Sequence, residues 1–175
     1  MTEMMRRRIL WGGLTLVLLV CNGLIIAKER LLASGETVLL ELAPRDPRSI
    51  MQGDYMRLRY SLIRQIDNAL GDQEDVVTAD GYVIATLDED NVARFQRLAQ
   101  SADEAGSSEV ALLYRIRGGR INIASDAFFF QEGFGEFYEA ARYGEVRVSA
   151  GGDVLLVGLR DRDKRPMQPA MLKAE

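Results

Sequence analysis

Val110-Ala111-Leu112-Leu113-Tyr114-Arg115-Ile116-Arg117-Gly118-Gly119-Arg120-Ile121-Asn122-Ile123 reads as an antiparallel β-hairpin. Val110, Leu112, Tyr114 and Ile116 alternate with Ala111, Leu113, Arg115 and Arg117, which is the period of a strand with one face turned to a core. Gly118-Gly119 supplies a turn in which both positions can take positive φ without a Cβ clash. Arg120 to Ile123 is the returning strand.

The same alternation recurs on both sides. Thr37 to Leu42 reads as a first strand. From Tyr55 to Leu62, Met56, Leu58, Tyr60 and Leu62 point one way while Tyr55, Arg57, Arg59 and Ser61 point the other. Gly81 to Leu87 is returned by the polar turn Asp88-Glu89-Asp90-Asn91 into Val92 to Leu98, for which a hairpin is preferred to a short helix. Glu145 to Ser149, Gly151-Gly152 and Val154 to Leu159 form a last hairpin. Helix is scarce: Ile63, Ile66 and Leu70 suggest one, and Phe134, Phe137, Tyr138 and Ala141 place another at Gly135 to Arg142. The expected fold is mainly β (α+β), an antiparallel domain shaped as a barrel or a curved sheet with one or two short helices.

Before this domain, Ile9 to Ala27 contains no charged residue, and it is flanked by Arg6, Arg7 and Arg8 on one side and by Lys28, Glu29 and Arg30 on the other. As a helix it covers roughly 28 Å, close to the hydrocarbon thickness of a bilayer. Its apolar run exceeds that of a signal peptide, and no small-residue cleavage site follows, so retention as an anchor is expected. The excess of arginine ahead of the span predicts a cytoplasmic N-terminus and an outer C-terminal domain, periplasmic in a Gram-negative cell. The organisation predicted is a cytoplasmic segment 1–8, an anchor 9–27, a linker 28–35, an extracytoplasmic β domain 36–160 and a polar tail 161–175.

Composition removes whole classes of chemistry. The 175 residues are 47% hydrophobic and 27% charged, which excludes a disordered or collagen-like chain. There is no histidine and only one cysteine, Cys21, inside the apolar run. Histidine-dependent nucleophiles, histidine zinc sites, CxxC redox pairs and an internal disulfide are thereby excluded. Residues 1–35 hold five of the 22 basic and two of the 26 acidic side chains, leaving a net charge of −7 on residues 36–175. That balance argues against nucleic acid as a partner.

The densest motif runs from Ala43 to Tyr60. Pro44, Asp46 and Pro47 build a rigid turn, Gly53 permits a tight backbone, and Asp54 can accept from neighbouring N–H groups ahead of a strand. Here the chain resembles the membrane-anchored GDYXXLXY family, whose specified positions are filled by Gly53, Asp54, Tyr55, Leu58 and Tyr60. The resemblance continues at Phe128 to Phe130 and at Glu132, Gly133, Phe134 and Gly135, then through the Gly151-Gly152 hairpin, so that it covers most of residues 36–160. It implies a single-pass protein of the bacterial inner membrane, of a kind often encoded beside a polytopic membrane protein. It implies no catalytic residues and no cofactor.

Arg45, Arg48, Arg57, Arg59 and Arg64 concentrate basic charge on an otherwise acidic domain. With Asp54 and Tyr55 they form a candidate binding surface for an anionic headgroup, a glycan or an acidic partner loop. The competing reading pairs these arginines with Asp46, Asp54 and Asp67. An enzymatic alternative is an envelope hydrolase using carboxylates, with Asp54 and Glu132 as the pair and Glu136 and Glu139 in reserve. The order of a span, Ser34 or Ser49 and a Gly-Asp is similar to signal peptidases, but the lysines, Lys28, Lys164 and Lys173, lie outside the β core where such a base must be desolvated. The acids Asp67, Asp72, Glu74, Asp75 and Asp80 lack the spacing of a calcium loop, and no metal site is expected. The aromatic cluster Phe128, Phe129, Phe130, Phe134, Phe137 and Tyr138 is read as core.

Overall fold

A computed structural model describes residues 3–43, 55–71 and 78–168, apart from the side chains of Arg6 and Ile9. The chain divides into two units, Met1–Gly35 and Glu36–Glu175.

The first unit is a helix, α1 (Glu3–Ser34), of 32 residues. The large apolar side chains of its uncharged run, among them Trp11, Leu16, Leu19 and Leu24, are exposed on every side. A helix that is apolar all round suits lipid rather than a protein core. Asn22, the strongest polar group in the apolar run, donates its side-chain amide to the Leu18 carbonyl at 2.8 Å. Its polar group is thus satisfied within the helix, as a bilayer requires. Among the described residues α1 is the one helix long and apolar enough to cross a membrane.

The second unit contains β1 (Glu36–Glu41), β2 (Tyr55–Arg57), α2 (Ser61–Leu70), β3 (Thr78–Leu87), β4 (Ala93–Ala99), β5 (Glu109–Arg117), β6 (Arg120–Asn122), β7 (Ala127–Phe129), α3 (Gly135–Glu139), β8 (Tyr143–Val148) and β9 (Val154–Arg160). The strands form three separate sheets with orders β1-β8-β9, β2-β7 and β4-β3-β5-β6. Every ladder is antiparallel.

The expected hairpins form. Arg117 pairs with Arg120 across Gly118 and Gly119, whose φ values are +57° and +71°. These are the positive angles of a two-residue turn matched to strand twist. Leu87 pairs with Ala93, and the intervening turn is closed by the Asp88 carboxylate, which accepts from the Asp90 and Val92 amides at 3.0 and 2.9 Å.

The barrel or curved-sheet expectation is wrong. Among the described residues no sheet closes or curls, and the reason lies in the motif strand. Tyr55 to Leu62 keeps its alternation of burial, but the ladder ends at Arg57 and α2 starts at Ser61. Among the described residues the sheets are linked by single bridges, Leu42 to Tyr60 and a parallel Leu39 to Val92, and not by further ladders. A closed barrel needs continuous ladders on both sides of every strand, and isolated bridges cannot supply them. The sheets instead cover one core in which Val38, Leu40, Met56, Leu58, Ile66 and Leu112 are buried.

One further boundary moves. The helix expected over Gly135 to Arg142 stops at Glu139. In the first residues of the polar tail, Pro166 bridges Arg160, and Met167 is buried against the core.

Candidate functional site

β2 is held by β7. Tyr55, Met56 and Arg57 pair with Phe129, Phe128 and Ala127 respectively, so the two segments singled out in the sequence, 70 to 74 positions apart, meet in one ribbon. The pleat turns Met56 inward, where it is buried, and turns Tyr55 and Arg57 outward. The Tyr55 and Phe129 rings lie 5.7 Å apart with their planes tilted by 38°.

Beyond Arg57 the chain leaves the ladder yet stays extended, because its backbone groups find partners on both sides. The Leu58 N–H donates to the Asp126 carbonyl and the Ala43 N–H to the Arg59 carbonyl, each at 2.7 Å. Leu58 and Tyr60 are therefore buried while Arg57 and Arg59 face out. The Tyr60 hydroxyl donates to the Ser125 carbonyl at 2.8 Å. Burial, assisted by the negative charge of Asp126, raises its pKa far above the usual tyrosine range. It remains a neutral donor. Gly144 lies against the same ring, and a Cβ there would stand 3.0 Å from Tyr60 Cε1.

The outward side of this segment opens on a groove of about 620 Å³. Arg57, Arg59, Arg64 and Arg120 contribute guanidinium groups, against the two carboxylates Asp67 and Asp126. Ile63 and Ile121 line its apolar part, above the buried Leu58 and Ile123. Several other arginines of the domain are paired: Arg97 with Glu109 at 2.6 Å, Arg117 with Asp80 at 2.6 Å, Arg160 with Glu145 at 2.9 Å. The Arg97 bond, followed by the Gly106 amide, lowers the Glu109 pKa to about 2. By contrast, among the described residues Arg57, Arg59, Arg64 and Arg120 make no ion pair. The proposed Asp67 pairing is thus not formed. Four exposed guanidinium groups beside two carboxylates can bind a carboxylate or phosphate through their planar forks.

Arg45, Arg48, Gly53 and Asp54 lie outside the described residues, together with Asp46, Ser49, Asp72, Glu74, Asp75 and Lys173. Glu132 is exposed in the turn after β7 and makes no hydrogen bond or ion pair among the described residues. Gly133 sets that turn with φ +87°, and Gly135 is buried at the start of α3. Glu136 and Glu139 are exposed. No group of three or more acidic or cysteine side chains that could hold a metal occurs among the described residues. The aromatic cluster is core in part only. Phe128, Phe130 and Phe137 surround Tyr138 at ring distances of 5.1, 5.4 and 5.1 Å, but Phe129 is 74% exposed.

Arg120, Asn122 and Asp126 line the groove and were not anticipated as site residues. The available signal was Arg120 directly after the Gly118-Gly119 turn; nothing local revealed that this hairpin would meet the motif strand.

One helix of membrane-spanning length followed by a domain of short antiparallel sheets defines a single-span, membrane-associated α+β protein. The motif running from Gly53 to Tyr60 identifies it further. The chain belongs to the GDYXXLXY protein family, whose model matches residues 17–159, from within α1 almost to the end of β9. No curated protein and no solved structure matches it.

Proposed function

We propose that the protein is an accessory binding domain held at the outer face of the bacterial inner membrane, which takes an anionic group in the arginine groove and works beside a polytopic membrane partner. The observation that carries this reading is the set of four guanidinium groups left without ion pairs among the described residues, in a domain of net charge −7. Elsewhere in the domain Arg94, Arg97, Arg115, Arg117, Arg160 and Arg165 each lie against a carboxylate. Unneutralised cations gathered at one groove leave the charge available to a ligand. The excess of arginine before the apolar run supports a cytoplasmic N-terminus and a periplasmic domain.

The hydrolase alternative draws no support from the geometry: Glu132 is exposed in a turn, and Asp54, its partner in that reading, lies outside the described residues. Arg45 and Arg48 add to the basic charge of the same stretch of sequence, and with Asp54 they belong to this proposal as further binding residues.

A photo-crosslinker at Ile63 on the groove wall tests the reading in native membranes. Adducts to a polytopic membrane protein that disappear in R57E/R59E support it; self-crosslinks alone, or adducts indifferent to the two arginines, contradict it. Topology is read separately from a C-terminal reporter active only in the periplasm.

A further inference from the structure

Among the described residues Phe129 is the most exposed large apolar side chain outside α1, at 74%. It stands on the outward face of the β2–β7 ribbon, directly opposite Tyr55. Arg57 is on that same face, two residues along β2. One surface therefore runs from an aromatic pair to a guanidinium group and on into the groove with Arg59, Arg64 and Arg120.

We propose that the anionic group is the phosphate of an anionic phospholipid in the bilayer crossed by α1, and that the Tyr55–Phe129 pair enters the headgroup region beside it. This inference rests on the groove reading above and names its ligand. Aromatic side chains settle at the membrane–water interface, and basic groups beside them are drawn to anionic headgroups. A soluble anion would engage the arginines but leave the aromatic pair in water. The charge of the domain makes the orientation selective: a surface of net −7 is repelled by anionic lipid, except where the arginines gather. Proximity is covalent. β1 begins at Glu36, directly after Gly35 and the last residue of α1, Ser34, so the domain always meets headgroups at high effective concentration.

The chain has one tryptophan, Trp11, in α1. F129W on a W11F background therefore makes a single reporter in the full-length protein. Reconstituted in vesicles containing phosphatidylglycerol, its emission should shift to the blue and be quenched by brominated lipid; in pure phosphatidylcholine both effects should be much smaller. Each arginine near an anionic surface raises the docked population about fivefold, so adding R57Q/R59Q should lower it about 25-fold. R57E/R59E should lower it further, with unchanged near-ultraviolet circular dichroism reporting an intact fold. Emission and quenching that are equal in the two lipids, or insensitive to the arginines, overturn the proposal. Inorganic pyrophosphate added to the wild-type chain in phosphatidylcholine separates the two levels of the argument. If the reporter ignores lipid charge while pyrophosphate still slows groove amide exchange through Arg57 and Arg59, the lipid assignment fails and the anion groove stands. If neither responds, both fail.

Discussion

Replacing Tyr60 tests whether the final residue of the motif is there to pack and to bond. The substitution Y60F keeps the buried ring and removes one hydrogen bond, from the hydroxyl to the Ser125 carbonyl at 2.8 Å. A neutral hydrogen bond of this kind contributes about 0.5–1.5 kcal/mol. Ser125 is exposed, so water can replace the lost donor, and the lower half of that range applies. Y60A also removes a ring that is only 3% accessible, and deletion of a buried aromatic costs about 3–5 kcal/mol. The two variants should differ several-fold in effect. Urea unfolding of the detergent-solubilised chain, followed by near-ultraviolet circular dichroism, reads both. The Gly144 contact adds an internal control. In the wild-type background G144A forces a Cβ to 3.0 Å from Tyr60 Cε1 and 3.4 Å from Leu156 Cδ1, an overpacking cost of about 1–3 kcal/mol. In a Y60L background much of that cost should vanish, since residues in contact are energetically coupled. A Y60F loss above about 3 kcal/mol, well beyond an ordinary hydrogen bond, or a G144A cost independent of residue 60, would refute this packing account.

G81A places a Cβ 2.6 Å from Tyr114 Oη and 2.7 Å from its Cζ; it should destabilise by about 1–3 kcal/mol, relieved in G81A/Y114L, as thermal unfolding will show. Acid should weaken the domain through Glu109, whose pKa Arg97 and the Gly106 amide lower from its ordinary 4.5 to about 2. A carboxylate with a lowered folded-state pKa contributes stability above its unfolded value and loses it as pH falls through the folded one. The urea midpoint should therefore fall between about pH 4.5 and pH 2, and R97Q should flatten that limb. R57E/R59E should leave stability within about 0.5 kcal/mol of wild type, because both side chains are exposed and unpaired among the described residues; a larger loss in calorimetry would mean that they hold the fold together.

Local pattern was readable wherever one short segment decides its own structure. The Gly118-Gly119 and Asp88–Asn91 turns are fixed by residues that favour positive φ or cap a turn, and both hairpins form as expected. Alternation from Tyr55 to Tyr60 correctly assigned which side chains are buried. It could not show that the ladder would stop at Arg57, because burial period and hydrogen-bonded pairing are separate properties: Leu58 is held by the Asp126 carbonyl rather than by a neighbouring strand. That is also why a barrel was expected where three sheets are found. The groove was half legible. Arg57, Arg59 and Arg64 stand close together in sequence, whereas Asp126 reaches them through the pairing of β2 with β7 and Arg120 through the approach of β6 to α2. The exposure of Phe129 was misread for a related reason. Its neighbours Phe128 and Phe130 pack on Tyr138, and the pleat turns the residue between them the other way.

The most direct measurement is amide hydrogen exchange of the full-length chain in nanodiscs, followed over residues 57–64 and 119–126. The wild-type protein should exchange more slowly in both segments when the nanodisc carries anionic phospholipid than when it is zwitterionic, and R57E/R59E should abolish the difference. Equal rates in the two lipids and in both proteins would contradict the claim that the motif strand builds an anion-binding groove at the membrane surface.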